Sequence, residues 1–333
     1  MKFIALGGIN EHGRNSFLLQ SDHHKILLDC GLGEKGEYPD FSKVDVSSID
    51  ALFLSHSHLD HTGAIRELIR RGFHGEIYLS KPTFDCMGNN DIVPTFLSFK
   101  EKRKLSNWLS VASFRSGHCF GSYGYFIEME DKTILYTGDY LENSVFSCDE
   151  IRDLTADLAI VDGAYSSSEK SMETNRNDFL KLLVSLKENI ILPLPKNGRN
   201  MEVISLLNKI DLPYFIKDST FFMEEENSYL KKNIPINSTP NATVFLIIDP
   251  QLEQKASRDI VDAYSTFHLV FTGTIDEGSY SSHLMKTRKN VYFQRINVHQ
   301  TVLEASALIQ KNHFHKAVIF HNKETREETS FSF

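Results

Sequence analysis

Ser55-His56-Ser57-His58-Leu59-Asp60-His61 follows directly on the apolar run Ala51–Leu54. This stretch decides how the chain is read. Four candidate metal ligands, His56, His58, Asp60 and His61, fall within six residues. Imidazole and carboxylate both suit Zn²⁺ and similar ions. His56 and His58 alternate on an extended loop, so both rings can face one ion. Asp60 and His61, just beyond, can turn to a second. Thr62-Gly63-Ala64 then lets the chain turn tightly into a helix, expected over Ile65–Arg71.

Two further pieces follow along the chain. His118 stands in Ser116-Gly117-His118-Cys119-Phe120-Gly121-Ser122, a glycine-bounded loop before a strand. Asp139 stands in Leu135-Tyr136-Thr137-Gly138-Asp139-Tyr140, at the end of an apolar strand. Alone, each is an ordinary loop or turn residue. In this order after His-x-His-x-Asp-His they look like further ligands. Asp29, in Ile26-Leu27-Leu28-Asp29-Cys30-Gly31, also ends a strand. It reads as a turn residue or an orienter of a ligand rather than a ligand itself.

The 333 residues suggest two domains, or one large domain with an insertion. Hydrophobic residues at 41% and charged residues at 24% exclude a mainly disordered chain. No apolar run is long enough for a membrane span, and Met1-Lys2-Phe3-Ile4-Ala5-Leu6-Gly7-Gly8 does not read as a signal peptide. Cys30, Cys86, Cys119 and Cys148 are scattered without a CxxC, so a reducing cytoplasm is the expected compartment. A net charge of -8 argues against a protein that coats nucleic acid, though not against a nuclease with a local basic groove.

Short apolar strands fill the first half: Phe3–Leu6, Ser16–Gln20, Lys25–Leu28, Ala51–Leu54, Glu76–Leu79, Tyr125–Met129, Ile134–Tyr136 and Leu158–Val161. After about residue 168, helical patterns at Arg176–Glu188, Met201–Ile210 and Leu252–Tyr264 alternate with strands at Ile190–Leu194, Val244–Ile248 and Leu269–Phe271. That alternation predicts βαβ units and a small parallel sheet. Glu224–Asn241 reads as a polar loop. Strand texture returns after about residue 284, with Val291–Val298 and Ala317–Phe320 either side of a helix over Thr301–Gln310.

The series Asp29, His56-x-His58-x-Asp60-His61, His118, Asp139 resembles the metallo-β-lactamase superfamily. The resemblance implies an α/β fold: an αββα sandwich with metals at one edge. Later motifs are similar to the β-CASP nuclease group. Leu158–Val161 leads into Asp162-Gly163-Ala164-Tyr165, similar to an acid-bearing strand end. Pro195-Lys196-Asn197-Gly198-Arg199-Asn200-Met201-Glu202 resembles the group's helix start, and Phe271–Tyr280 its glycine-containing strand exit. His299 and His321 look like its two late histidines. The opening Gly7-Gly8-Ile9-Asn10-Glu11-His12-Gly13-Arg14-Asn15 resembles that of RNase J. The chain departs from the pattern in Asp162-Gly163, Asn297-Val298-His299 and His321-Asn322-Lys323. It reads as a compact form without a C-terminal domain.

The resemblance implies a metallo-β-lactamase core at 1–168 and 285–333, interrupted by an inserted small α/β, β-CASP-like domain at 169–284. It implies two divalent ions, zinc from the His-rich ligation, with manganese compatible with the carboxylates. His56, His58 and His118 would hold one; Asp60, His61 and His321 the other; Asp139 would bridge. Such a pair lowers the pKa of a shared water and stabilises charge on a phosphoryl oxygen, with Asp60 in the catalytic set. His299 would act as general acid, oriented by Asp162. Arg199, at a helix start, would meet phosphate, and Ser279 and Tyr280 would contact phosphate or a base. The basic run Lys100–Lys104 reads as a solvated face. The implied activity is a zinc-dependent ribonuclease, endo- or 5′-exo-, acting on single-stranded RNA, with no membrane partner. The alternatives are a DNA-directed nuclease, a thioester or lactone hydrolase on the same core, or a scaffold without catalysis.

Overall fold

The computed structural model describes residues 1–88, 92–146, 150–186, 189–217, 230 and 244–333. Cys148, Glu188 and, apart from residue 230, the polar stretch Glu224–Asn241 fall outside the described residues. The chain divides into two compact units: Met1–Glu169 with His299–Phe333, and Lys170–Val298.

The first unit is a two-sheet sandwich with helices on its outer faces. One sheet has seven strands, in the order Ser330–Ser332, Lys2–Gly7, Ser16–Gln20, Lys25–Leu28, Ala51–Phe53, Glu76–Leu79 and Pro94–Phe96. The other has six: His313–Phe320, Thr155–Asp162, Lys132–Tyr136, Tyr123–Met129, Leu109–Arg115 and Lys102–Lys104. Alternation along the strands sends one set of apolar side chains between the sheets. There Phe3, Phe17, Phe53, Tyr125, Tyr136 and Phe320 pack together, each such burial stabilising by roughly 1.5–3 kcal/mol. The opposite set meets helices. Leu18, Leu27 and Leu52 pack on Ile65 and Leu68 of helix Ile65–Arg70. Ala159, Val161 and Ile319 pack on Ala305 and Leu308 of helix Val302–Gln310.

Strand direction matters for the site. Lys25–Leu28, Ala51–Phe53 and Glu76–Leu79 run parallel, as do Lys132–Tyr136, Thr155–Asp162 and His313–Phe320. Leu109–Arg115 lies antiparallel to Tyr123–Met129, which is antiparallel to Lys132–Tyr136, so it shares the direction of the latter. The residues following these strands therefore collect at one end of each sheet. Leu109–Arg115 and the edge strand Lys102–Lys104 are not expected from the sequence pattern. The first buries Leu109, Val111 and Ser113 alternately, and the second is exposed throughout.

The second unit is a five-stranded parallel sheet, ordered Tyr214–Ile216, Val244–Ile247, Ile190–Pro193, His268–Phe271 and Val291–Phe293. Helices Met172–Leu186, Arg199–Lys209, Lys255–Ala263 and Tyr280–Thr287 accompany it. The crossing back to the sandwich lies at residue 299, later than the expected 285. Val291–Phe293 pairs with His268–Phe271 and so completes the smaller sheet. It is three residues long, shorter than the expected Val291–Val298. The unit's two ends are tied: Asn297 Nδ2 donates to Lys170 O at 3.2 Å and Asn175 Nδ2 to Asn297 Oδ1 at 2.7 Å.

Candidate metal centre

Most candidate ligands sit just past the end of a sandwich strand, and Asp60 and His61 lie in the short helix Leu59–Thr62. His56 and His58 follow Ala51–Phe53, His118 follows Leu109–Arg115, Asp139 follows Lys132–Tyr136, and His321 follows His313–Phe320. Asp162 is the last residue of its strand. All lie in the first unit, as does His299.

Their side chains converge in three overlapping groups, the ligand atoms of each lying within 4.8 Å of one another: His56, His58, His118, Asp139; Asp60, His61, Asp139, His321; and Asp139, Asp162, His299, His321. In the first, His58 Nδ1 is 3.0 Å from His56 Nε2 and 3.1 Å from His118 Nε2. Asp139 Oδ2 is 3.4 Å from His56 Nε2 and 3.6 Å from His118 Nε2. In the second, Asp139 Oδ1 is 3.1 Å from His61 Nε2 and 3.2 Å from His321 Nδ1, while Asp60 Oδ2 is 3.3 Å from His321 Nε2. The two oxygens of Asp139 thus face different groups. Imidazole and carboxylate atoms gathered this closely, with one carboxylate shared between two groups, form a donor set that fits a pair of divalent ions.

Electrostatics point the same way. Burial and the neighbouring His61 hold His56 well below its ordinary pKa, and burial lowers His58, so both rings are neutral donors. Burial opposes charge on His61 too, but Asp139, Asp60 and Asp29 outweigh it and raise that imidazole well above its usual range. His321 is likewise pushed up to about 10, Asp139 and Asp60 overcoming its burial. Burial opposes ionisation of Asp139, yet His61, His321, His299 and His56 keep its carboxyl well below the usual range.

Asp29 does not join these groups. Its fully buried carboxylate accepts from Ser55 N at 2.7 Å, Ser55 Oγ at 2.7 Å, His61 Nδ1 at 2.7 Å and the Tyr136 hydroxyl. It fixes the His61 ring so that Nε2 faces Asp139, the arrangement that orients a metal ligand. Asp29 adopts φ +55°, in the left-handed region uncommon for residues with a side chain, and its four hydrogen bonds hold it there. The next glycine is required by close approach: a Cβ on Gly31 would lie 1.6 Å from Asp60 O.

Beside the two groups stands an acid–imidazole pair. Asp162 Oδ2 accepts from Tyr140 N at 3.0 Å and Oδ1 from Ala164 N at 3.1 Å. His299 Nδ1 lies 3.1 Å from Asp162 Oδ2 and 3.7 Å from Asp139 Oδ2. Burial lowers His299, but Asp139 and then Asp162 raise it above its ordinary value. A capping box between Thr301 and Glu304 starts the following helix and fixes the backbone leading from His299.

Among the residues expected to touch substrate, Arg199 opens helix Arg199–Lys209, its Nε donating to Ile296 O at 3.0 Å and its guanidinium filling the space above Gly273. Ser279 caps helix Tyr280–Thr287 and donates to Asp276 O at 2.7 Å. Tyr280 donates to Asp262 at 2.7 Å beneath Arg258. All three belong to the second unit.

Sequence reasoning missed several neighbours of the site. The Asn15 amide lies 2.8 Å from His61 Nε2 and 3.4 Å from Asp60 Oδ2. The His12 ring is 5.9 Å from that of His321, and the Tyr165 ring 5.3 Å from that of His299. Asn15 and His12 lie inside the opening motif already noted, which was the available signal.

Residues 9–93, about a quarter of the chain, match the family model described as Metallo-beta-lactamase superfamily, and the two-sheet sandwich with histidines and aspartates past its strand ends is consistent with that match. More particular likenesses follow. The chain is 27% identical over 231 residues to an "RNase J-like protein" of Methanocaldococcus jannaschii, a match covering 61% of this chain and 53% of that one. It is 24% identical over 252 residues to "Endoribonuclease YSH1" of Kluyveromyces lactis, covering 63% and 33%. The chain therefore spans about half the length of the first relative and a third of the second. A crystal structure of a protein of unknown function from Enterococcus faecalis V583 superposes with a TM-score of 0.63 over 97% of this chain and 94% of that one at 12% identity, a likeness of fold alone.

Proposed function

We propose that this protein is a metal-dependent ribonuclease of the β-CASP group, cleaving phosphodiesters of single-stranded RNA. The observation that carries the reading is the Asp162–His299 pair, set beside two groups of ligand atoms that share Asp139. Two divalent ions, zinc by preference for the histidines, would supply a nucleophile at neutral pH and stabilise charge on the phosphoryl oxygen. His56, His58 and His118 would hold one, Asp60, His61 and His321 the other, with Asp139 between.

The chain's own residues account for the rest. Two backbone N–H groups fix Asp162, so its carboxylate holds His299 Nδ1 and leaves Nε2 turned elsewhere. Asp139 and Asp162 raise the pKa of His299 against its burial and so favour its imidazolium form. Nε2 then gives its proton to the leaving oxygen as the P–O bond breaks. Hydrolysis of a thioester or lactone does not require such a pair. Arg199, a guanidinium at a helix start, is the second unit's phosphate contact in this reading. The relatives' names, both ribonucleases, support RNA as substrate class.

The test is cleavage of end-labelled single-stranded RNA and DNA by metal-loaded protein, with and without chelator, alongside the thioester and lactone assays. His299→Ala should lower RNA cleavage by about 10²–10⁴-fold, Asp162→Asn by less, and both should retain wild-type metal content. Arg199→Ala should weaken RNA binding, with an effect that shrinks at high salt. Hydrolysis of a thioester or lactone but of no nucleic acid would overturn the reading.

A further inference from the structure

The core sandwich has one open side where both sheets end. Pro94–Phe96 is the last strand of the seven-stranded sheet and Lys102–Lys104 the last of the six-stranded sheet. Arg103 joins them, its Nη1 donating to Phe96 O at 3.2 Å. In a protein of net charge -8, this side is basic. Lys100, Lys102, Arg103 and Lys104 are all exposed, with Glu101 the one acid among them. Lys102 pairs with Glu128 at 2.5 Å. Arg103 and Lys104 have no carboxylate partner among the described residues.

Aromatic rings stand among these cations. Lys81 Nζ lies 5.9 Å from the centre of Phe96, which is 38% exposed, and both Lys100 at 5.3 Å and Arg115 at 4.6 Å lie over half-buried Phe99. The patch also has a direction. Lys104 pairs with Ser110 and Lys102 with Ala112, while Lys100 N donates to Ser113 O. The strand beneath them continues through Arg115 to the ligand His118. At about 3.4 Å per residue, the stretch from Ser110 to Arg115 runs roughly 17 Å along this edge, with Lys102 and Lys104 on one face of it and Arg103 and Arg115 on the other, and ends three residues before His118.

We propose that this edge is a holding surface for single-stranded nucleic acid, gripping the phosphate backbone by Lys100, Arg103 and Lys104 and a base by Phe96, and leading the strand toward His118. Positive charge tracking a backbone with aromatic rings beside it is how unstructured nucleic acid is bound without sequence preference. The proposal rests on the nuclease reading for its purpose but not for its measurement.

The experiment uses the full chain and two RNA probes, of about 20 and about 4 nucleotides. Binding is followed by fluorescence anisotropy over a salt series with chelator present, and cleavage is measured separately with metal. Combined Lys100→Gln, Arg103→Gln and Lys104→Gln should weaken binding of the long RNA by ~10-fold or more at low salt. It should also flatten the salt slope by about 2, the share of three phosphate contacts on a single strand. Cleavage of the short RNA should stay at the wild-type rate. Phe96→Ala should weaken long-RNA binding with the slope kept. Unchanged binding and slope in the triple variant would overturn the proposal. So would unchanged binding combined with new self-association in sedimentation, which would make these lysines guards against edge-to-edge strand pairing. If the wild type cleaves no RNA yet the triple variant still loses binding, the nuclease reading fails and the surface stands.

Discussion

Replacing Asp29 with Asn removes one oxygen from a buried carboxylate that four donors share: Ser55 N, Ser55 Oγ, His61 Nδ1 and the Tyr136 hydroxyl. The amide that takes its place is itself a donor. Three donors bond the same oxygen, Oδ2, and one bonds Oδ1. An Asn can satisfy one side only, so at least one donor is left facing an N–H₂ and every remaining bond loses the negative charge of its acceptor. Bonds to charged groups contribute about 1.5–3 kcal/mol each, and a buried donor left unsatisfied costs about 1–3 kcal/mol. Asp29→Asn should therefore destabilise the metal-free protein by roughly 3–5 kcal/mol, measured by urea unfolding with chelator present. Metal affinity should fall separately. With His61 no longer oriented, affinity at the second group should drop by about 10–100-fold, read by competitive zinc titration of the folded variant. A loss of stability under about 1 kcal/mol, or unchanged zinc affinity, would refute the argument that Asp29 acts on the centre through His61.

Gly31→Ala should be worse tolerated than an ordinary glycine substitution, because the new methyl would strike Asp60 O; a lower melting temperature together with reduced zinc content checks this. If two ions are held as proposed above, Asp139→Asn should reduce bound metal from two ions toward one by elemental analysis, since only one of its two faces keeps a carboxylate-like oxygen. Asp157, held near 2 by Thr133 and Lys132 against its burial, stabilises the ionised form. Its contribution is present above its ordinary value near 4 and is lost as pH falls through about 2. Asp157→Asn should therefore cost about 1 kcal/mol at neutral pH, with the gap from wild type closing in unfolding curves taken at successively lower pH.

What could be read from the sequence depended on how locally it was encoded. His56, His58, Asp60 and His61 stand together in one loop at a strand end, so residue type and spacing sufficed to single them out. Asp29 reads from the sequence as a turn residue or an orienter of a ligand, and among its four bonds is one from His61 Nδ1. Leu109–Arg115 escaped notice because its buried face includes Ser113, satisfied by Ser98 O at 2.7 Å, and a serine breaks the apolar alternation. Val291–Phe293 reads as a strand that could serve either unit, so the sequence pattern does not say where the chain crosses back. Periodicity reports that a segment is extended, but which sheet receives it is decided by distant partners.

The clasp of Asn297 on Lys170 bears on how the sandwich is assembled. Strand His313–Phe320 must find Thr155–Asp162 across the whole second unit. Were that stretch a slack tether, closing it would cost ~3–4 kcal/mol more entropy than closing a tight turn. Once folded, with its ends pinned side by side, it acts on the rest of the chain as a short linker. The order of events on the ribosome follows. The second unit is synthesised whole before His321 is, so it can take up its structure first and deliver the final strand at low entropic cost. Until that strand arrives, the second ligand group lacks His321.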